Sequence, residues 1–270
     1  MRILLLLSLL LLGGCFKRIP VIDAPRDFVA AEAEYMPQLH QLLRQSHADC
    51  VSFRSSAKVS ASKGLGSETF RQITLFERPD SLRFDFFDPT RTTLLGLMVL
   101  REGRFWFLDK ENKRVITGGA TPENLERVTS IPLAPEELMD WICGVVPHYV
   151  SIDRALVNAP HDRFFLELSL PHFRSMRVLL SRAGDKHLRV DSASLSDTPE
   201  ETLLVMQYEY AGASQVPSVV SADAVRADFK VKLEFDEPQL NPELSDRARR
   251  AFEFSVPPGY RVEDFESGVE

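Results

Sequence analysis

Apolar and polar residues alternate through most of the chain beyond residue 50. In residues 81–87, Leu82, Phe84 and Phe86 fall on one side and Arg83 and Asp85 on the other, the two-residue period of a strand with one buried face. Residues 163–170 repeat the pattern with Phe164, Leu166, Leu168 and Leu170, and residues 228–235 set Phe229, Val231, Leu233 and Phe235 against Lys230, Lys232 and Glu234. Further strand-like runs lie at 51–61, 68–77, 94–101, 104–109, 174–181, 187–195 and 202–210, with a short one ending at Gly118-Gly119. Turn residues such as Lys63-Gly64-Leu65-Gly66, Asp88-Pro89 and Glu102-Gly103 separate them, as hairpins require. The pattern predicts a mainly β (α+β) fold, a strongly curved antiparallel sheet or half-barrel of roughly 10–11 strands whose concave face helices must cover.

Three stretches change the period from two to nearly four. Between residues 27 and 47, Phe28, Ala31, Tyr35, Leu39, Leu42 and Leu43 recur at helical steps, and Pro37 is expected to break or kink the run. Residues 121–128 suit a small helix, with Thr121 as its cap and Glu123 in the first turn. The third stretch is IPLAPEELMDWICGVVP, residues 131–147. Pro135 suits a first helical position, Glu136 and Glu137 face the positive end of the dipole, and Gly144 suits a left-handed exit. Leu138, Trp141 and Ile142 share one face, opposite Glu137 and Asp140, so this helix is expected to press an apolar wedge into the sheet's concavity. The inward aromatic and aliphatic side chains either fill that space as solid core or line a cavity for an apolar ligand. The residues assigned to it are Phe84, Phe86, Leu138, Trp141, Ile142, Phe164, Leu166, Phe229 and Val231.

Composition narrows the function. The formal net charge is −7, with lysines and arginines scattered among acids, which argues against a nucleic-acid partner. There are six histidines, dispersed and without carboxylates at ligand spacing, so no metal is expected, and nothing points to another cofactor. No Gly-x-Ser-x-Gly, phosphate loop or His-Glu-x-x-His is present. Acid pairs such as Glu136-Glu137, Asp85 with Asp88, and Glu200-Glu201 are explained by a helix start, a strand exterior and a turn, so no catalytic residue is assigned. Beyond Cys15 the cysteines are Cys50 and Cys143. Their spacing suggests neither a stapled scaffold nor a metal site, so two buried free thiols are expected, one disulfide being the alternative.

The start of the chain sets the compartment. Arg2 precedes residues 3–12, apolar apart from Ser8, too short for the about 20 residues that span a bilayer and of secretory-leader form. Leu12-Gly13-Gly14-Cys15 resembles the lipobox of bacterial lipoproteins, which implies removal of residues 1–14 and a lipid anchor on Cys15. Residues 15–26 then form a lipidated tether, and residues 27–270 one domain. Phe16, not an aspartate, follows Cys15, and by the lipoprotein sorting rule this implies the outer membrane.

The run Ile131-Pro132-Leu133, Leu138, Trp141-Ile142, Gly144 and Pro147 resembles a signature of LolB, the outer-membrane receptor for lipoproteins. Leu240-Asn241-Pro242, Phe254, Pro257-Pro258-Gly259 and Val262 are similar to the closing segment of LolA- and LolB-like proteins. The resemblance implies a half-barrel with a helical lid and a hydrophobic cavity for acyl chains. It also implies an acceptor anchored in the bacterial envelope, facing the periplasm, that takes lipoproteins from a LolA-like carrier. The family's inserting hairpin carries an exposed leucine after its turn; here Thr90-Arg91 follows Asp88-Pro89. The nearest leucines, Leu94 and Leu95, are the membrane-insertion candidates, unless they belong to the next strand. The alternative is an envelope lipoprotein that uses the same fold for lipid sensing or scaffolding without transport.

Overall fold

A computed structural model describes residues 22–147, 150–171, 174–184, 187–198 and 201–266. Residues 1–14, Cys15 and the tether as far as residue 21 lie outside the described residues, as does the tail from residue 267. One sheet of 15 strands forms the body. In chain order the strands are β1 (Val29–Ala30), β2 (Ser52–Lys63), β3 (Gly66–Glu77), β4 (Ser81–Phe87), β5 (Leu94–Arg101), β6 (Arg104–Asp109), β7 (Arg114–Gly119), β8 (Ser151–Val157), β9 (Arg163–Ser169), β10 (Ser175–Ala183), β11 (His187–Thr198), β12 (Glu201–Glu209), β13 (Val219–Ala224), β14 (Phe229–Leu240) and β15 (Arg261–Asp264). The helices are α1 (Met36–Ala48), α2 (Pro122–Thr129), α3 (Pro135–Cys143) and the single turn α4 (Asp246–Arg249).

The spatial order is β1-β8-β9-β10-β11-β12-β13-β14-β2-β3-β4-β5-β6-β7-β15. Neighbours are antiparallel except β15, which runs parallel to β7. The curved sheet does not close, and β1 and β15 are its edges. The long rails β14 and β2 join the two meanders at the centre, in register from Phe229 opposite Lys63 to Leu240 opposite Phe53.

Four strands lie outside those expected, namely β1, β8, β13 and β15, although β13 does alternate, with Val220, Ala222 and Ala224 buried and Ser221 and Asp223 half-buried. In β8 the register shifts between Ile152 and Arg154, and a bulge destroys the two-residue period. The strands β1 and β15 span 2 and 4 residues, too short to show a period. Pro37 corrects a second expectation, because it lies in the first turn of α1 after a 3₁₀ turn at Ala33–Tyr35. At that position its missing N–H costs nothing, so it starts the helix and does not break it.

The helix α3 has the ends expected of it. Pro135 opens it, and Gly144 leaves it at φ 65°. Its polar face is a correction. Glu137 and Asp140 are buried, and each is an ion-pair partner rather than a solvated residue. Glu137 Oε2 accepts from Ala134 N at 2.8 Å and lies 3.3 Å from Arg174 Nη1, while Arg174 Nη2 donates to Pro132 O at 3.0 Å. Asp140 accepts from Arg78 and sits 3.2 Å from His47 Nε2. Arg78 Nε also donates to Cys50 O at 2.6 Å.

Cys50 and Cys143 are not free thiols. They form a disulfide, with Cα atoms 6.6 Å apart, inside the range a bridge requires. The end of α1 and the end of α3 converge at one end of the sheet, a meeting that a separation of 93 residues does not reveal. The motif residue Asn241 braces the same corner from a left-handed backbone, φ 51°. Its Oδ1 accepts from Val51 N and Ser52 N at 2.8 and 3.1 Å, and its Nδ2 donates to Asp49 O at 2.6 Å.

Most strands turn apolar side chains into the concave core with α1, α2 and α3. On the outer face two smaller clusters lie beneath residues 244–260. Leu75 packs with Leu244 and Phe252, and Leu97, Val99, Leu108 and Val115 pack with Trp106, Phe254 and Tyr260. The C-terminal segment is thus a strap over β3–β7, ending in β15.

Candidate functional site: an apolar pocket under the central helices

A pocket of about 210 Å³ lies between the sheet and the α2–α3 segment. Its floor comes from buried residues of both halves of the sheet, including Val59, Met98, Met206 and Phe235, roofed by Leu133, Trp141 and Ile142. Its mouth is made of half-buried side chains, Phe70, Phe86, Phe107, Phe229, Val231, Ile131 and Leu138. Register places that mouth at the end of the sheet carrying the β2–β3 hairpin, since Phe229 pairs with Lys63 and Val231 with Ala61. The roof reaches the hairpin as well, where Lys63 Nζ donates to Ser130 Oγ at 3.3 Å.

No lining side chain carries a charge, and the polar ones are Gln72 and Thr129 with the indole N–H of Trp141. Gln72 Nε2 donates to Thr74 Oγ1 at 2.9 Å. Trp141 stacks on Tyr208, centroids 6.2 Å apart; burial first, then the neighbouring Tyr210 and Asp140, pushes the Tyr208 phenol well above its ordinary value. Tyr208 therefore stays protonated. Such a site can hold an uncharged apolar chain, and it offers no acid, base or nucleophile to a reaction. A larger open groove of about 630 Å³ crosses β2, β3 and β12–β14. It mixes Ala61, Val205, Ala222 and Val231 with serines, Gln207 and the ion-paired Lys230 and Lys232, and it lies open to solvent.

No protein-family model matches the sequence, and no curated protein matches it either. Solved structures do match the fold. A LolA superfamily protein from Nitrosomonas europaea superposes with a TM-score of 0.51 at 11% identity, covering 76% of this chain and 94% of the other. A domain described as an outer membrane lipoprotein-sorting protein from Vibrio parahaemolyticus gives 0.55 at 12% identity, with 79% and 97% covered. The chain has the LolA/LolB fold. A DUF1329 family protein from Desulfovibrio piger shares it, with a TM-score of 0.56, 12% identity and 80% and 96% covered.

Within the LolA/LolB fold, Phe84, Phe86, Leu138, Trp141, Ile142, Phe229 and Val231 meet around the pocket. Phe164 and Leu166 do not. They belong to β9, separated from β13 by three strands, where Phe164 stacks on Tyr35 at 5.9 Å beneath Arg182 in solid core. Leu94 and Leu95 begin β5. Leu94 is half-buried against the outer cluster under the strap, and Leu95 is 46% exposed. The turn before them is polar and closed, because Asp88 accepts from Thr92 N at 2.8 Å and from the hydroxyls of Thr90 and Thr92. Arg91 ties it to Asp236 on β14 at 2.8 Å.

The most exposed large apolar side chain among the described residues lies elsewhere. Leu65, at the tip of the β2–β3 hairpin, is fully exposed, between Gly64 at φ 57° and Gly66. Its signal in the sequence was a leucine flanked by glycines after a lysine, in a tight turn where apolar residues have no packing reason to be.

Proposed function

We propose that this protein is a membrane-anchored, periplasm-facing envelope lipoprotein that binds acyl chains, held through Cys15 at the outer membrane and acting as a LolB-like acceptor in lipoprotein localisation. The observation carrying this reading is the uncharged pocket, whose mouth lies at the same end of the sheet as Leu65. An acyl chain leaving the mouth meets whatever surface Leu65 enters, so binding and delivery share one end. The cargo of such an acceptor comes from a LolA-like periplasmic carrier, and the role is binding, not catalysis.

The volume of about 210 Å³ is below the ~300–1,000 Å³ of most ligand sites. At that size the pocket holds part of a long acyl chain, the remainder leaving through the mouth. Native mass spectrometry of the chain from residue 22 onward, expressed in a bacterial periplasm, tests the reading: co-purified lipid or acylated peptide is the expected result. A protein that carries none, and takes up none from detergent-solubilised lipoprotein, returns the fold to the non-transporting sensing or scaffolding alternative.

A further inference from the structure

We infer that Trp141 is the specificity-determining residue of the pocket, its indole N–H donating to the carbonyl of a neutral acyl ester. This rests on the acyl-binding reading and deepens it by naming which acyl group is accepted. Trp141 is 3% exposed, its ring lines the pocket, and its Nε1 has no hydrogen-bond partner among the described residues. A buried indole N–H nearly always has an acceptor, because leaving it unpaired forfeits its hydration without return. The groups around it do not supply one. Tyr208 is stacked on the same ring with its hydroxyl directed to Met206 Sδ at 3.7 Å, and no acceptor among the described residues, Gln72 included, lies within hydrogen-bond reach of Nε1.

A ligand acceptor completes the pairing, and the rest of the lining decides its charge. With no lysine, arginine or histidine in the wall, a carboxylate would lose its water and gain one neutral donor, which is a poor exchange. An ester carbonyl has little hydration to lose and needs one donor. An alkane satisfies the wall but leaves the N–H unpaired. The pocket thus ranks the ester above the carboxylate at one chain length, and only the ester's affinity depends on the N–H.

The test is displacement of the hydrocarbon dye diphenylhexatriene by decane, methyl decanoate and decanoate at pH 8, from the wild type and from Trp141→Phe, which keeps an aromatic wall and deletes the N–H. In the wild type, methyl decanoate is expected to bind at least about tenfold more tightly than decanoate. Trp141→Phe is expected to weaken methyl decanoate about five- to tenfold, the worth of one buried hydrogen bond, and to leave decane within twofold. Equal wild-type affinity for ester and carboxylate overturns the inference without needing the variant. So does a variant that weakens ester and decane alike, and in both cases acyl binding itself stands. A wild type that takes up none of the three overturns the acyl-binding reading as well.

Discussion

Replacing Arg78 by Met tests how α3 is held over the pocket. The guanidinium satisfies the Cys50 carbonyl and neutralises Asp140, a carboxylate with no solvent exposure. Methionine keeps most of the stem and removes both functions, leaving the His47 imidazole at 3.2 Å beside the carboxylate. A buried pair broken from one side costs about 3–5 kcal/mol, a large share of the ~5–15 kcal/mol that folded domains possess. Replacing both partners, Arg78→Met with Asp140→Leu, removes the uncompensated charge. The double variant should therefore lie within about 2 kcal/mol of the wild type and be more stable than Arg78→Met alone. Urea unfolding of the oxidised wild type, both single variants and the double variant, followed by circular dichroism at neutral pH, completes the cycle. A single variant within about 1 kcal/mol of the wild type, or a double variant worse than the single, would refute the claim that this pair matters through buried charge.

Leu65→Glu should weaken flotation with liposomes by about tenfold or more, since a leucine moved into apolar surroundings is worth about 1.5–3 kcal/mol, and leave dye uptake unchanged. Leu94→Glu should instead lower stability by about 1–3 kcal/mol with no specific effect on flotation. Replacing Cys50 and Cys143 by Ser should cost about 2–5 kcal/mol, seen as a lower urea midpoint. Asn241→Ala strips acceptors from two backbone N–H groups and a donor from Asp49 O, and should cost about 1–3 kcal/mol in the same assay. Burial pushes the Asp109 carboxyl up, but hydrogen bonds from Asn112 and Arg114 outweigh it and hold it below the usual 3.8. A depressed carboxyl contributes stability that is present above that value and lost as pH falls through its folded pKa. Asp109→Asn should therefore flatten the fall in stability below about pH 4, measured by urea midpoints across pH.

What could be read from the sequence was local. The ends of α3 are encoded within a few residues, by Pro135 and Gly144, and strands such as β4 and β14 declare a buried face through strict alternation. Features made by distant parts of the chain were not legible. Helical periodicity assigns Glu137 and Asp140 to water, because their partners Arg174 and Arg78 arrive from other elements. The same blindness explains Cys50 and Cys143, and the grouping of Phe164 with Phe84 when several strands separate them. Leu65 was visible as part of a turn, but its projection depends on nothing folding back over the hairpin tip.

The strap over the outer face has a consequence for how this chain is made. Strands β3–β7 are synthesised well before residues 244–260, which cover their outer clusters, and β2 emerges long before its partner β14. Until that segment is delivered the first meander is therefore a half-sheet with an unpaired long edge and with Leu97, Val99, Leu108 and Val115 bare to water. Pairing across so much chain is slow, and such an intermediate is prone to aggregate. Residues 244–260 are therefore both the last part of the sheet's cover to emerge and the part that removes these apolar side chains from water.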